Sequence, residues 1–246
     1  SIWDYVNRIA FYSSIKKEGA KTLICGLGGG ILAKEFDNMG FDVDVVELDP
    51  DMKPIARKYF HLSKDIPVHI DDARHFINNI EKEYDIIVFD MLAGERPPTN
   101  AYTLETFKKI KKRLKNEGLF FFHYQSTMYN NGLKAIRSLM KTMDSSGLSV
   151  KLLKNGKRKD KVLQRMFMAS PSDKFQDQGY FKKVRAPEYY FPVKDMFIEI
   201  NTKNGVLLTD ERPIFEFIHM PIMRKVRKKN RDAVVEGLIE REMNFY

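Results

Sequence analysis

One short stretch constrains this chain more than any other. Lys21–Gly26 (KTLICG) is an apolar run with the look of a buried strand, and Ile31–Asn38 has the spacing of a helix. Between them stands Gly26-Leu27-Gly28-Gly29-Gly30. Glycine lets the backbone turn tightly and lets a ligand come close to the main chain. In a strand–turn–helix setting such a run is a nucleotide-binding signal, with Gly26, Gly28 and Gly30 as the candidate binding positions; alone it is only a turn.

The same rhythm continues downstream. Asp42–Asp49 predicts a second strand and Pro50–Phe60 a helix capped by Asp49 or Asp51. Val68–Asp72, Tyr84–Asp90 and Leu119–Gln125 predict three more strands. Helices are expected over Ala73–Ile80 and over Thr103–Lys115, the latter closed by Asn116-Glu117-Gly118. Strands that alternate with helices predict a parallel sheet covered on both faces. The pattern then changes. Asn131–Asp144 reads as a helix, and Leu148–Leu153 and Lys161–Ala169 read as two strands joined by a polar turn, an antiparallel hairpin at the sheet edge. Residues 171–246 are punctuated by Pro187, Pro192, Pro213 and Pro221, with a terminal helix expected over Asp232–Met243. We therefore expect a nucleoside-binding domain over 1–170 and a C-terminal extension over 171–246 packed on it.

Three acidic positions and one glutamine fall at the ends of these strands. Glu47 ends the second strand about 20 residues after the glycines, where a carboxylate accepts both ribose hydroxyls. Asp72, with Ala73 after it, ends the third strand; it is placed either to accept the adenine amino group or to cap the next helix. Asp90 closes the fourth strand, as a general base, as a partner for a positive charge, or as a turn residue ahead of Gly94, Pro97 and Pro98. Gln125 closes the fifth strand, at the crevice or as a surface group.

Composition removes several alternatives. A single cysteine, Cys25, allows no internal disulfide and no cysteine-based zinc site, and it fits a reducing, cytoplasmic setting. His61, His69, His75, His123 and His219 lack metal-ligand spacing, so no metal is expected. The net charge of +9 collects in runs such as Lys108–Arg113, Lys154–Lys159 and Arg224–Lys229. With no zinc-finger or RNP-type pattern beside them, the first two read as solvated faces and nucleic acid is not an expected partner. The third is a solvated face or a contact for an acidic or membrane surface. No apolar run approaches the ~18 residues of a membrane helix. A start at Ser1 rather than Met fits a chain trimmed from something longer.

Taken together, LICGLGGGILAKEF, VDVVELDPDMKPIARKYF, VHIDDARHFI, YDIIVFD and PPTNAYTLETFKKIKKRLKNEGLFFFHYQ resemble the spermidine synthases, the polyamine aminopropyltransferases, over roughly Tyr5 to Ala169. The resemblance implies a doubly wound, mostly parallel Rossmann-like α/β sheet of the class I methyltransferase type with an antiparallel edge hairpin. It implies transfer of an aminopropyl group from decarboxylated S-adenosylmethionine to a small-molecule amine, without a metal. Asp90 then stands at the catalytic carboxylate, Glu47 at the ribose ligand, and Asp72 with Ala73 at the adenine contact. Tyr102, in the Ala101-Tyr102-Thr103-Leu104-Glu105 helix start, and Gln125 fall on the substrate side.

Three departures stand against ordinary spermidine synthesis. Gly29 occupies the position of an aspartate that holds the aminopropyl ammonium. Ala93 occupies that of a second aspartate that grips the diamine, leaving Glu95 as the nearby substitute. The family's N-terminal β-segment, which helps associate subunits, has no counterpart, and almost nothing precedes the first strand; Tyr5-Val6-Asn7 stands where Tyr-x-Glu is common, and a homodimer stays open. Each lost carboxylate removes a charge-assisted bond worth roughly 1.5–3 kcal/mol. Methyl transfer from intact S-adenosylmethionine and nucleoside binding without turnover thus remain alternatives. Some relatives are fused behind a membrane-embedded region, and Leu208-Thr209-Asp210-Glu211-Arg212-Pro213 resembles the ending of such fused forms, so an upstream membrane region is a further expectation.

Overall fold

A computed structural model describes residues 2–91, 98–154, 163–183, 196–212 and 214–243. Five strands alternate with helices as the periodicity predicts: β1 (Lys21–Cys25), α2 (Ile31–Asn38), β2 (Asp42–Glu47), α3 (Met52–Tyr59), β3 (Val68–Ile70), α4 (Ala73–Asn79), β4 (Tyr84–Phe89), α5 (Leu104–Arg113) and β5 (Leu114–Ser126). Then come α6 (Asn130–Ser145), β6 (Ser149–Leu153), β7 (Leu163–Ser170), β8 (Phe197–Ile198) and α7 (Phe215–Met243). The eight strands of the described residues form one sheet in the order β3-β2-β1-β4-β5-β7-β6-β8. The first five are parallel, and β7, β6 and β8 pair antiparallel at one edge. This is a Rossmann-like sheet of the class I methyltransferase type. The order in which successive strands are laid down reverses between β1 and β4, the switch point at which open α/β sheets bind ligands beyond the carboxyl ends of their strands.

Alternation along the central strands makes two cores. In β4, Ile86 and Val88 face one side and Ile87 and Phe89 the other; in β5, Leu119 and Phe121 oppose Phe120 and Phe122. The first face packs under α2 and α3 through Phe36 and Ala56, and the second under α4, α5 and α6 through Ile77, Phe107, Ile110 and Leu139. Both faces are covered, so both sets of positions are apolar.

Three features differ from the sequence reading. Helix α1 (Ile2–Ser13) precedes β1, where almost nothing was expected. Val6, Ile9 and Ala10 are buried at helical spacing, which closes the first core and brings Tyr5 to the sheet edge. Strand β5 begins at Leu114, so Asn116-Glu117-Gly118 lies in a strand rather than closing a helix; the β4–β5 register shifts between Tyr84 and Ile86 and absorbs the extra residues. The expected terminal helix is the end of α7, whose 29 residues carry Pro221 inside. A proline removes one helical hydrogen bond, but Phe215, Ile218 and Ile222 pack on both sides of it in the same core as Phe107, and burial outweighs that loss. From the 171–246 region, β8 thus extends the sheet and α7 joins its core.

Candidate active site at the carboxyl edge of the sheet

The glycine run leaves β1 as expected. Gly26, Gly28 and Gly30 have φ values of 102°, 49° and 73°, a region in which side chains are strained. A Cβ on Gly26 would lie 2.4 Å from the Asp90 carbonyl oxygen, so the turns after β1 and β4 touch through their main chains. Above Gly28 there is open space. A Cβ on Gly29 would meet the Phe60 ring at 3.0 Å.

Glu47 ties this loop to the next. Its Oε2 accepts from Leu27 N–H at 2.7 Å and its Oε1 from Asp49 N–H at 2.9 Å. Each carboxylate oxygen has two acceptor positions, so one remains on each for a pair of vicinal hydroxyls. Leu48, the next residue, is 68% exposed and sets an apolar surface beside the carboxylate. Asp72 caps α4, accepting from His75 N–H through Oδ1 at 2.9 Å, which leaves Oδ2 for another donor. Asp51 sits at the α3 N-cap without a side-chain bond, while Asp49 Oδ1 accepts from Asp51 N–H at 3.0 Å. A bare glycine turn, a carboxylate with spare acceptors and an exposed apolar side chain fit a nucleoside.

Asp90 follows β4, and its carboxylate is 18% exposed. Oδ2 accepts from the Tyr5 hydroxyl at 2.6 Å. Oδ1 lies at hydrogen-bonding distance, 3.0 Å, from His123 Nδ1. The Tyr5 and His123 rings stack at 4.6 Å with planes 6° apart. Burial, then the charge of Asp90 and the hydrogen bond to it, push the Tyr5 hydroxyl well above its ordinary pKa, so it stays a neutral donor. The Asp90 carboxylate is therefore held by two groups from distant parts of the chain. Among the described residues no group of three or more His, Cys, Asp or Glu could hold a metal ion.

The spermine/spermidine synthase domain pattern matches residues 8–153, more than half of the chain. The chain belongs to that family. Its relatives are distant. Over 147 residues it is 28% identical to polyamine aminopropyltransferase 2 of Aquifex aeolicus, covering 55% of this chain and 29% of that one. Over 133 residues it is 30% identical to the N-terminal histidine N-methyltransferase of Emericella nidulans, covering 50% of this chain and 24% of that one. The chain thus spans less than a third of the length of these two relatives. Among solved structures, a probable spermidine synthase from Corynebacterium glutamicum superposes with a TM-score of 0.58 at 21% identity, over 69% of this chain and 64% of that one. Human methyltransferase-like protein 13 in complex with SAH gives 0.56 at 21%, over 76% and 86%. At such identity these two show the fold.

The remaining family positions are less central. Tyr102 is buried in an aromatic cluster with Phe122 and Phe215, and burial followed by the charge of Asp90 raises its pKa. Gln125 is half-buried on β5, opposite Gln164 of β7. Glu95 and Ala93 lie outside the described residues. Asp210, from the acidic turn near the C-terminus, makes a two-pronged ion pair with Arg74 of α4. A separate cleft of about 520 Å³ opens between Pro98–Asn100 and α7, lined by Glu216, Met223 and Arg224 among others; Gly26, Glu47 and Asp90 do not border it.

Sequence reasoning gave Leu48 no role, named Tyr5 only as standing at the family's Tyr-x-Glu position, and weighed His123 only as a metal ligand. A signal for His123 existed. It lies two residues before Gln125 and so on the same face of β5, and register places it nearer to Asp90.

Proposed function

We propose that the chain is a transferase that binds an S-adenosyl sulfonium donor and moves an aminopropyl group from decarboxylated S-adenosylmethionine to a small-molecule amine. The carrying observation is Asp90, a carboxylate clamped at the end of β4 with its main chain against the glycine turn. Gly26, Gly28 and Gly30 line the nucleoside, Glu47 takes the ribose hydroxyls, and Asp72 with Ala73 meets the adenine edge over Leu48. The bound donor supplies a sulfonium, whose charge makes the thioether a good leaving group without metal help. The protein's share is to align a neutral amine with the C–S bond. Asp90 is the negative pole of the site and takes, directly or through its partners, the proton the amine gives up. Glu95, Tyr102 and Gln125 belong to the acceptor side. The aminopropyl group is suggested by the relatives named polyamine aminopropyltransferases. We place the reaction in the cytoplasm, with tethering by an upstream membrane region as the other setting.

Methyl transfer from intact S-adenosylmethionine in the same pocket is the second reading. It is favoured by Gly29, where the Phe60 ring stands in the way of a side chain that would grip the aminopropyl ammonium. It also matches the name of the Emericella relative. The test is to offer each donor with putrescine, spermidine and a peptide bearing a free N-terminus, and to identify the nucleoside released. Methylthioadenosine supports aminopropyl transfer. S-adenosylhomocysteine moves the assignment to methyl transfer, and release of neither overturns the transferase reading.

A further inference from the structure

We infer that His123 is the proton acceptor of this site, with Asp90 acting through it as the anchor of the imidazole. The inference rests on the transferase reading above and deepens it.

Strand register brings the two together. Phe89 of β4 pairs with Phe122 of β5, so the next residues, Asp90 and His123, stand side by side at the carboxyl edge. The carboxylate accepts and cannot donate when ionised, so the His123 Nδ1–H donates to it. Tyr5 occupies the other carboxylate oxygen and covers one face of the imidazole. Each oxygen of Asp90 thus holds one partner in place, and His123 Nε2 on the far side of the ring carries a lone pair of its own.

Nε2 is the unusual atom. The His123 side chain is 2% exposed, and Nε2 is buried with no hydrogen-bond partner among the described residues. A buried polar atom left unsatisfied costs about 1–3 kcal/mol. Such an atom in a folded protein calls for an explanation, and a catalytic role is one. The titratable groups facing the ring are Asp90 and Tyr5, and Tyr102 lies within reach of the charge on Asp90.

The step balances. The amine nitrogen forms a bond to the carbon beside the sulfonium, the C–S bond breaks, and its electron pair stays on sulfur as a neutral thioether. The N–H proton passes to His123 Nε2. Asp90 balances the imidazolium until water removes the proton.

The first measurement is 15N NMR of the histidine rings in the intact chain, with His123 assigned by its loss in His123→Gln. The expected result is an Nδ1-protonated, Nε2-free ring at neutral pH, with the Nδ1–H fraction falling in Asp90→Asn. The second compares wild type and His123→Gln with whichever donor the wild type uses. We expect kcat to fall at least about 100-fold and the acidic limb of the pH profile to vanish. Affinity for methylthioadenosine or S-adenosylhomocysteine, read by calorimetry, should stay within about threefold, a change of only ~0.65 kcal/mol. An Nε2–H tautomer in the wild type overturns the inference. So does a His123→Gln variant that keeps its rate and its acidic limb. Wild-type protein that binds these nucleosides but turns over neither donor overturns the transferase reading and the acceptor role with it. The tautomer measurement then still reports whether Asp90 anchors the ring.

Discussion

The sheet carries two aspartates with nearly the same company. Asp44, on β2, meets His69 Nε2 at 3.3 Å, the Tyr84 hydroxyl at 3.2 Å and Lys82 Nζ at 2.7 Å. Asp90 meets His123 and Tyr5. Each has an imidazole and a phenol; only Asp44 has an ammonium among its hydrogen-bond partners in the described residues. Burial alone would raise the Asp44 carboxyl, but the hydrogen bonds from Lys82, His69 and Tyr84 outweigh it and hold it below the usual range. Asp44 is thus a neutralised structural pair on a strand flanked by its neighbours. Asp90 has no ammonium among its described hydrogen-bond partners and stands beside the glycine turn, where a cationic ligand can supply the countercharge. A countercharge separates the structural cluster from the functional one, and residue type alone does not.

Asp90→Asn should break the functional cluster with the largest effect. We expect transfer to fall by roughly 10²–10⁴, measured as kcat, with the urea midpoint little changed because Tyr5 and His123 can still bond to the amide. Unfolding at a much lower urea concentration would show Asp90 to be structural after all.

Asp44→Ala should do the reverse. Leaving Lys82 beside an emptied, half-buried site costs about 3 kcal/mol, read from urea unfolding, while donor affinity of the folded protein is unchanged. The sign with pH follows from the lowered carboxyl. The stabilisation is complete above the ordinary aspartate value of about 3.9 and is lost as pH falls through the lower folded value. Acid titrations of stability in wild type and Asp44→Ala should therefore converge at low pH; parallel curves would rule this out.

Glu47→Ala tests the nucleoside half of the site. Losing charge-assisted bonds of about 1.5–3 kcal/mol should weaken methylthioadenosine or S-adenosylhomocysteine binding by roughly ten- to a hundredfold in calorimetry. Unchanged affinity would leave Glu47 only as the brace for Leu27 and Asp49. The smallest effect is expected at Arg74→Ala. The pair with Asp210 is partly exposed, and its loss should cost about 1 kcal/mol or less in thermal or urea unfolding. A larger loss would mean that the acidic turn braces α4 and, through it, Asp72.

Much of the frame was legible because it is written in local periods. Alternation of Ile86, Ile87, Val88 and Phe89 marks a strand covered on both faces, and the glycines mark its neighbouring turn. Helix α1 was legible too, through Val6, Ile9 and Ala10, yet a segment ahead of the first strand was given no role. Pro221 was weighed as a breaker, and only the packing of Phe215, Ile218 and Ile222 shows why α7 runs through it. Asp72 stood between a cap and a ligand contact; the cap bond to His75 is present, and it leaves the second oxygen for the other task.

By itself the sequence determined the order of strands and helices, the glycine turn and the carboxylates at the strand ends, since these depend on residues close together in the chain. The tertiary structure alone decided what each carboxylate meets. Tyr5 comes to Asp90 from 85 positions away and His123 from 33, brought there by helix packing and strand register. Lys82 reaches Asp44 across 38. The electrostatic character of a buried group is set by neighbours within a few ångströms, and a linear pattern does not carry that proximity.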